Sequence, residues 1–237
     1  MQHVAADPCW QEPALARRLS GMPYAKRREE ARLGRWTAKS TIARAYRLTT
    51  TPAGLRHIVV RNAPDGAPEA LLKGQPLDAV IAMTDRADWA VCAIMQGSAR
   101  IGCDLELVEP RSAAFVRDYF NPREIASVAA SAEPDATVNL IWSAKESALK
   151  VMRTGLRRDT RSVTVELGEE TGTGWNRLRV TAEEGHEFPG WWIRLGSFLL
   201  TMTTEVPTAE PVSLEEPQPL RTAQPSHAWM DAPYGSR

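Results

Sequence analysis

Four side chains in two short runs have the types and spacing to handle a charged phosphate. In Ile101-Gly102-Cys103-Asp104-Leu105-Glu106, the two carboxylates stand two residues apart in an otherwise apolar stretch, so a strand would point both to one face. In Trp142-Ser143-Ala144-Lys145-Glu146-Ser147-Ala148-Leu149-Lys150, Glu146 and Lys150 are four apart within a helical pattern and share a face one turn apart. Three carboxylates, Asp104, Glu106 and Glu146, are a donor set for a hard divalent cation such as Mg²⁺, which takes oxygen ligands and shares them with substrate phosphates. Lys150 would add the counter-charge a phosphate needs. Either run alone also reads as ordinary surface chemistry: an acidic pair on a solvated strand face, or an exposed Glu/Lys pair contributing a few tenths of a kcal/mol.

The elements that must position these groups can be read from pattern. Residues 13–46 read as helix broken at Gly21 and Pro23, with a basic second piece. Strands are expected at 55–61, 79–84, 89–95 and 100–108, the last carrying the acidic pair. Helices follow at 113–120, 122–130 and 136–152, the third opened by Pro134-Asp135 and closed by Gly155. Its positions Val138, Ile141, Ala144, Ala148 and Met152 keep the spacing of one buried face, and Trp142 could pack with them. Further strands are expected at 162–167, 178–182 and 191–202. Beyond Val206 the composition turns to Pro, Glu, Gln, Ser and Thr, which predicts a disordered tail over 207–237.

At 237 residues with 43% hydrophobic content, the chain can bury a real core. Lys+Arg and Asp+Glu balance at 29 each, which argues against a nucleic-acid binder, although basic residues crowd the first fifth of the chain. Cys9, Cys92 and Cys103 are scattered without metal-ligand spacing, and none of the four histidines sits in a motif. With no long apolar run and no signal-peptide pattern, the expectation is a cytoplasmic protein without membrane contact.

The order of the motifs is more specific than either motif. A glycine before a Cys-Asp strand, followed by a Trp-x-x-Lys-Glu-x-x-x-Lys helix and Gly155-Leu156, resembles the 4′-phosphopantetheinyl transferases of the larger, surfactin-synthetase-activating type. Gly34-Arg35-Trp36-Thr37-Ala38-Lys39 is similar to that family's Gly-Arg-x-x-Ala-Lys helix, so the likeness runs from about Arg27 to Val165.

The resemblance implies an α+β fold of two similar lobes related by pseudo-twofold symmetry, here 1–99 and 100–206, with coenzyme A between them. It implies Mg²⁺ on Asp104, Glu106 and Glu146, and Glu124 beside the metal as base for a carrier serine. Lys150 would contact the pyrophosphate or leaving group, and Lys145 matches the motif's other lysine. Lys39 would reach the 3′-phosphate of coenzyme A, helped by Arg35 and by Arg27 or a neighbour. The reaction implied is transfer of the 4′-phosphopantetheine arm of coenzyme A to a serine of an acyl or peptidyl carrier protein of polyketide, nonribosomal-peptide or fatty-acid synthesis, by a monomer. One segment departs from the family. Where relatives carry Ser-x-Ser/Thr-His for coenzyme phosphates, this chain has Ala82 and Asp85, with Arg86 next to offset the acid. A noncatalytic or repurposed relative, binding carrier protein or nucleotide in the old cleft, is the alternative that this departure motivates.

Overall fold

Gly21 and Pro23 end one helix and delay the next, so the chain opens with α1 (Pro13–Ser20) and α2 (Ala25–Ala45). Thr51 then caps a short α3 (Pro52–Leu55), its hydroxyl accepting from the Gly54 amide. The expected strand beginning at Leu55 therefore starts later, as β1 (Ile58–Asn62), because a Thr-Pro pair favours a helix start. β2 (Pro68–Leu72) and β3 (Gln75–Pro76) complete a three-stranded antiparallel sheet. Neither was legible, since Pro-Glu-Ala-Leu-Leu has little intrinsic β preference and is held by pairing, with Val60 opposite Ala70.

β4 (Ala79–Arg86) and β5 (Trp89–Gln96) form a hairpin whose two turn residues, Ala87 and Asp88, have φ of 47° and 64°, the backbone of a tight two-residue turn. β6 (Ile101–Leu107) leads to α4 (Ala113–Tyr119), α5 (Pro122–Ala130) and α6 (Pro134–Val151). The remainder is β7 (Val163–Leu167), β8 (Asn176–Ala182), β9 (Glu187–Leu195), β10 (Phe198–Thr204) and a short α7 (Gln218–Arg221). The single strand expected over 191–202 is a hairpin, turned at Gly196, whose φ is +62°. This computed structural model describes residues 4–168, 174–215 and 218–223. Of the expected disordered tail, residues 216–217 and 224–237 lie outside the described residues. The nearer part lies along the protein, with Leu220 buried against the core of β6, β9 and β10.

The architecture is mixed α+β. α2 covers one core with α1, β1 and β4, built on Trp10, Ile42, Leu55 and Ile58. α6 covers a second, on the antiparallel sheet ordered β6-β10-β9-β8-β7. The two halves meet at β6, where Ala82 and Ala93 of the hairpin pack on Cys103. Both long helices close alike. Arg47 and Arg153 take left-handed φ of 54° and 58°, and the following amides reach back to Ala43 O at 2.7 Å and Leu149 O at 3.1 Å. Arg153 is thus the left-handed closing residue of α6, ahead of the expected Gly155. No helix among the described residues is long and apolar enough to cross a membrane.

Candidate functional site

α6 approaches β6 as closely as backbone allows, because β6 offers Gly102 at the contact. A Cβ there would stand 1.9 Å from Ser147 O. This approach brings a polar seam of α6, Asn139, Ser143 and Ser147 at helical spacing, into the fully buried interface with β6 and β10. Ser143 Oγ donates to Asp104 O at 3.1 Å and lies 2.9 Å from Thr201 Oγ1, while Thr203 Oγ1 donates to Ser147 Oγ at 3.2 Å. Every member has a partner, so the seam fixes the helix in register instead of weakening the core.

The registered helix delivers Lys150 to Asp104. Lys150 Nζ donates to Asp104 Oδ1 at 2.9 Å and to Cys103 O at 2.7 Å. Thr84 reaches Asp104 Oδ1 from β4 at 3.2 Å. Burial alone would lower the Lys150 pKa, but Asp104 and Glu146 hold it above the ordinary lysine value. Glu146 stands one turn back on the same face, and burial together with Asp104 raises its carboxyl against the pull of Lys150. Glu106, two residues along β6, is pushed up to about 7 by burial and by Asp104, with Arg86 and Arg111 opposing.

Two oxygens of this group bear on whether it suits a cation. Asp104 Oδ2 and Glu146 Oε1 are buried without a hydrogen-bond donor among the described residues. Buried anionic oxygens in that condition are costly unless a cation meets them, and carboxylate oxygen is the donor that Mg²⁺ prefers. Glu106 fits less simply. Arg86 and Arg111 lie 3.2 and 3.0 Å from its Oε2, and both also pair with the buried Glu109, so its Oε1 is the oxygen left to offer. As the side chains stand, no group of three His, Cys, Asp or Glu residues among the described residues is gathered at metal-binding spacing. The chemistry of the set fits the ion; closing on it would require side-chain rotation.

Beside the carboxylates a cleft of about 290 Å³ opens between the halves, lined by Arg35, Asn62, Ala82, Met83, Asp85, Arg100, Lys150 and Arg153. Arg35 donates to Asn62 Oδ1, and its guanidinium pKa is lowered by burial and by Arg18. Arg153 is paired with Asp65 at 2.9 Å. Asp85 is exposed at the opening, its carboxyl raised by desolvation from the cleft walls and by Glu30 and Asp104, with Lys150 opposing. Arg86 does not offset it. It leaves the cleft for Glu106 and Glu109, since neighbours on a strand point to opposite faces.

Three expected contacts are placed elsewhere by the packing. Lys39 is fully buried, donating to Trp10 O at 3.0 Å and Glu12 Oε2 at 2.5 Å, so it faces the N-terminal core and not a ligand. Lys145 is also fully buried, bonded to Thr160 O, Val163 O and, at 2.7 Å, Glu124. Glu124 in turn forms a capping box with Asn121 at the start of α5 and accepts from the Val165 amide at 3.0 Å. Three structural donors, the Asn121 and Val165 amides and Lys145, thus hold its buried carboxylate. Arg27 is exposed in the first turn of α2, outside the cleft lining. Sequence reasoning missed Thr84, Arg111, Glu109, Arg100 and the Asn139-Ser143-Ser147 seam; only the seam carried a signal, polar residues every fourth position on an otherwise apolar helix face.

The fold and site define a carboxylate-lysine centre beside a cationic cleft, an arrangement suited to a metal-assisted phosphate reaction. Residues 100–188 match the family model of the 4′-phosphopantetheinyl transferase superfamily. That span holds Asp104, Glu106, Glu124, Glu146 and Lys150, while α2 and the β4–β5 hairpin precede it. No curated protein matches the chain.

Proposed function

We propose that this protein is a 4′-phosphopantetheinyl transferase of the larger type, transferring the phosphopantetheine arm of coenzyme A to a serine of an acyl or peptidyl carrier protein. The observation that carries the reading is Lys150 Nζ at 2.9 Å from Asp104 Oδ1, with Asp104 Oδ2 and Glu146 Oε1 buried beside it and lacking donors. Asp104, Glu146 and Glu106 would hold Mg²⁺. When bound, the ion supplies charge neutralisation on the pyrophosphate.

The chain's own residues do the remaining work. The carrier serine Oγ forms a bond to the β-phosphorus of coenzyme A, and the bond from that phosphorus to the bridging oxygen breaks. The electron pair stays on the departing 3′,5′-ADP, where Lys150 offsets it. Glu146 accepts the serine proton, the part that the resemblance gives to Glu124, which caps α5 here. Little covalent help is needed, because orientation and charge cancellation dominate phosphoryl-type transfer. The lobes of this reading are residues 1–99 and 100–206, which meet along β6, and the chain acts as a monomer.

The test is the intact mass of an apo carrier protein after incubation with this protein, coenzyme A and Mg²⁺. Gain of one phosphopantetheine arm, absent with Asp104→Ala, supports the reading; no gain across several carriers from folded protein overturns it.

A second reading, a noncatalytic binder using the same cleft, is favoured by Asp85 at the cleft opening and by the inward-facing Lys39. It predicts coenzyme binding that Mg²⁺ does not convert to transfer.

A further inference from the structure

Coenzyme A brings two separate anionic groups, a pyrophosphate and a 3′-phosphate monoester that carries roughly −1.5 to −2 at neutral pH. Two of the four cations lining the cleft are already engaged by carboxylates. Lys150 is engaged by Asp104 and belongs with the pyrophosphate, and Arg153 is engaged by Asp65. Lys39, the lysine expected to receive the 3′-phosphate, is sealed behind Trp10 and Glu12. Arg35 and Arg100 are left. Against them stand Asp85, with no cation at ion-pair distance among the described residues, and Glu30, close enough to raise its carboxyl. A carboxylate in such a position repels a phosphate but accepts a hydrogen bond from a ribose hydroxyl. An acidic side chain selects an unphosphorylated ribose in the same way at dinucleotide sites, where arginine selects the phosphorylated one.

We propose that Asp85 makes this cleft selective for a coenzyme whose ribose 3′-hydroxyl is free, so that dephospho-coenzyme A is bound in preference to coenzyme A. The inference rests on the transferase reading above. It changes the leaving group and not the product: the serine Oγ still bonds to the β-phosphorus, the same phosphoanhydride bond breaks, and 5′-AMP departs in place of 3′,5′-ADP. The carrier gains an identical arm.

Isothermal titration of the full chain with each coenzyme, in Mg²⁺ and without carrier, tests the proposal. Dephospho-coenzyme A should bind about tenfold more tightly than coenzyme A, equivalent to roughly 1.4 kcal/mol. Asp85→Asn should bring the ratio toward one by removing the charge, and Asp85→His should invert it. Circular dichroism confirms that both variants fold, which is expected at an exposed position. Equal or tighter binding of coenzyme A by the native protein overturns the inference while leaving the transferase reading intact, as does an unchanged ratio in Asp85→Asn. Binding of neither coenzyme to folded protein overturns the transferase reading itself and this inference with it.

Discussion

Thr84 ties the two halves of the molecule together at Asp104. Its hydroxyl donates to Asp104 Oδ1 at 3.2 Å and accepts from the Leu105 amide at 3.2 Å, so a single buried oxygen joins β4 to β6 beside the carboxylate that also receives Lys150. Thr84→Val keeps the shape but leaves the Leu105 amide unsatisfied and Asp104 with one donor fewer, at a cost of about 1–3 kcal/mol. The melting temperature should fall, and transfer activity should fall further than the folded fraction accounts for, because Asp104 is free to turn. Thr84→Ser should restore both. Loss of stability with normal specific activity would mean that Thr84 serves only the packing.

Gly102→Ala tests how the site is assembled. The new methyl would meet Ser147 O at 1.9 Å and Ser147 C at 2.9 Å, both backbone atoms that cannot swing aside. α6 must then retreat from β6, taking Lys150 and Glu146 with it. Overpacking of this kind costs about 1–3 kcal/mol or more. In a urea titration the midpoint should drop clearly, and the residual folded protein should transfer poorly. A midpoint within error of the native protein would mean that the helix has another seat.

The Gly-Cys-Asp strand and the Lys-Glu-x-x-x-Lys helix were legible because their periods are strict and their glycine marks a close approach, so local pattern and tertiary contact agree. The fate of the lysines was not. Lys39 and Lys145 sit in motifs that look like phosphate contacts, and each is buried on a carboxylate far away in sequence, Glu12 and Glu124. Nothing in the local pattern distinguishes a lysine that faces a ligand from one that faces a buried partner. β2 and β3 were hidden for a similar reason, since their residues are strand only through pairing with β1.

Lys39 gives a pH signature. Burial lowers its ammonium below the ordinary lysine value despite the pull of Glu12, and burial lowers Lys145 likewise despite Glu124. The unfolded chain therefore binds more protons than the folded one between the lowered values and the ordinary lysine range. Unfolding free energy should rise with pH across that window and be smaller below it. Lys39→Met should flatten part of this slope in urea titrations run from neutral to alkaline pH, and should leave Glu12 without its partner. If Lys39 were a phosphate contact, the same variant would instead weaken coenzyme binding at unchanged stability.

Glu124→Gln and Glu146→Gln separate structure from chemistry most directly. Glu124 completes the capping box of α5, accepts from the Val165 amide and pairs with the fully buried Lys145, so its neutral replacement strands a buried ammonium. Breaking a buried pair on one side costs about 3–5 kcal/mol. Glu124→Gln should therefore lower the melting temperature strongly, and its activity should follow the folded fraction. Glu146 has a buried oxygen with no donor and a carboxyl raised by burial and by Asp104, so the amide relieves repulsion. Glu146→Gln should melt at or above the native temperature while Mg²⁺-dependent transfer falls by two orders of magnitude or more, the range typical of a positioned acid-base group. Thermal melts paired with the carrier mass assay read both. A Glu124→Gln protein with native stability and no transfer would reverse the two assignments, returning the base to α5 and leaving Glu146 to the metal alone.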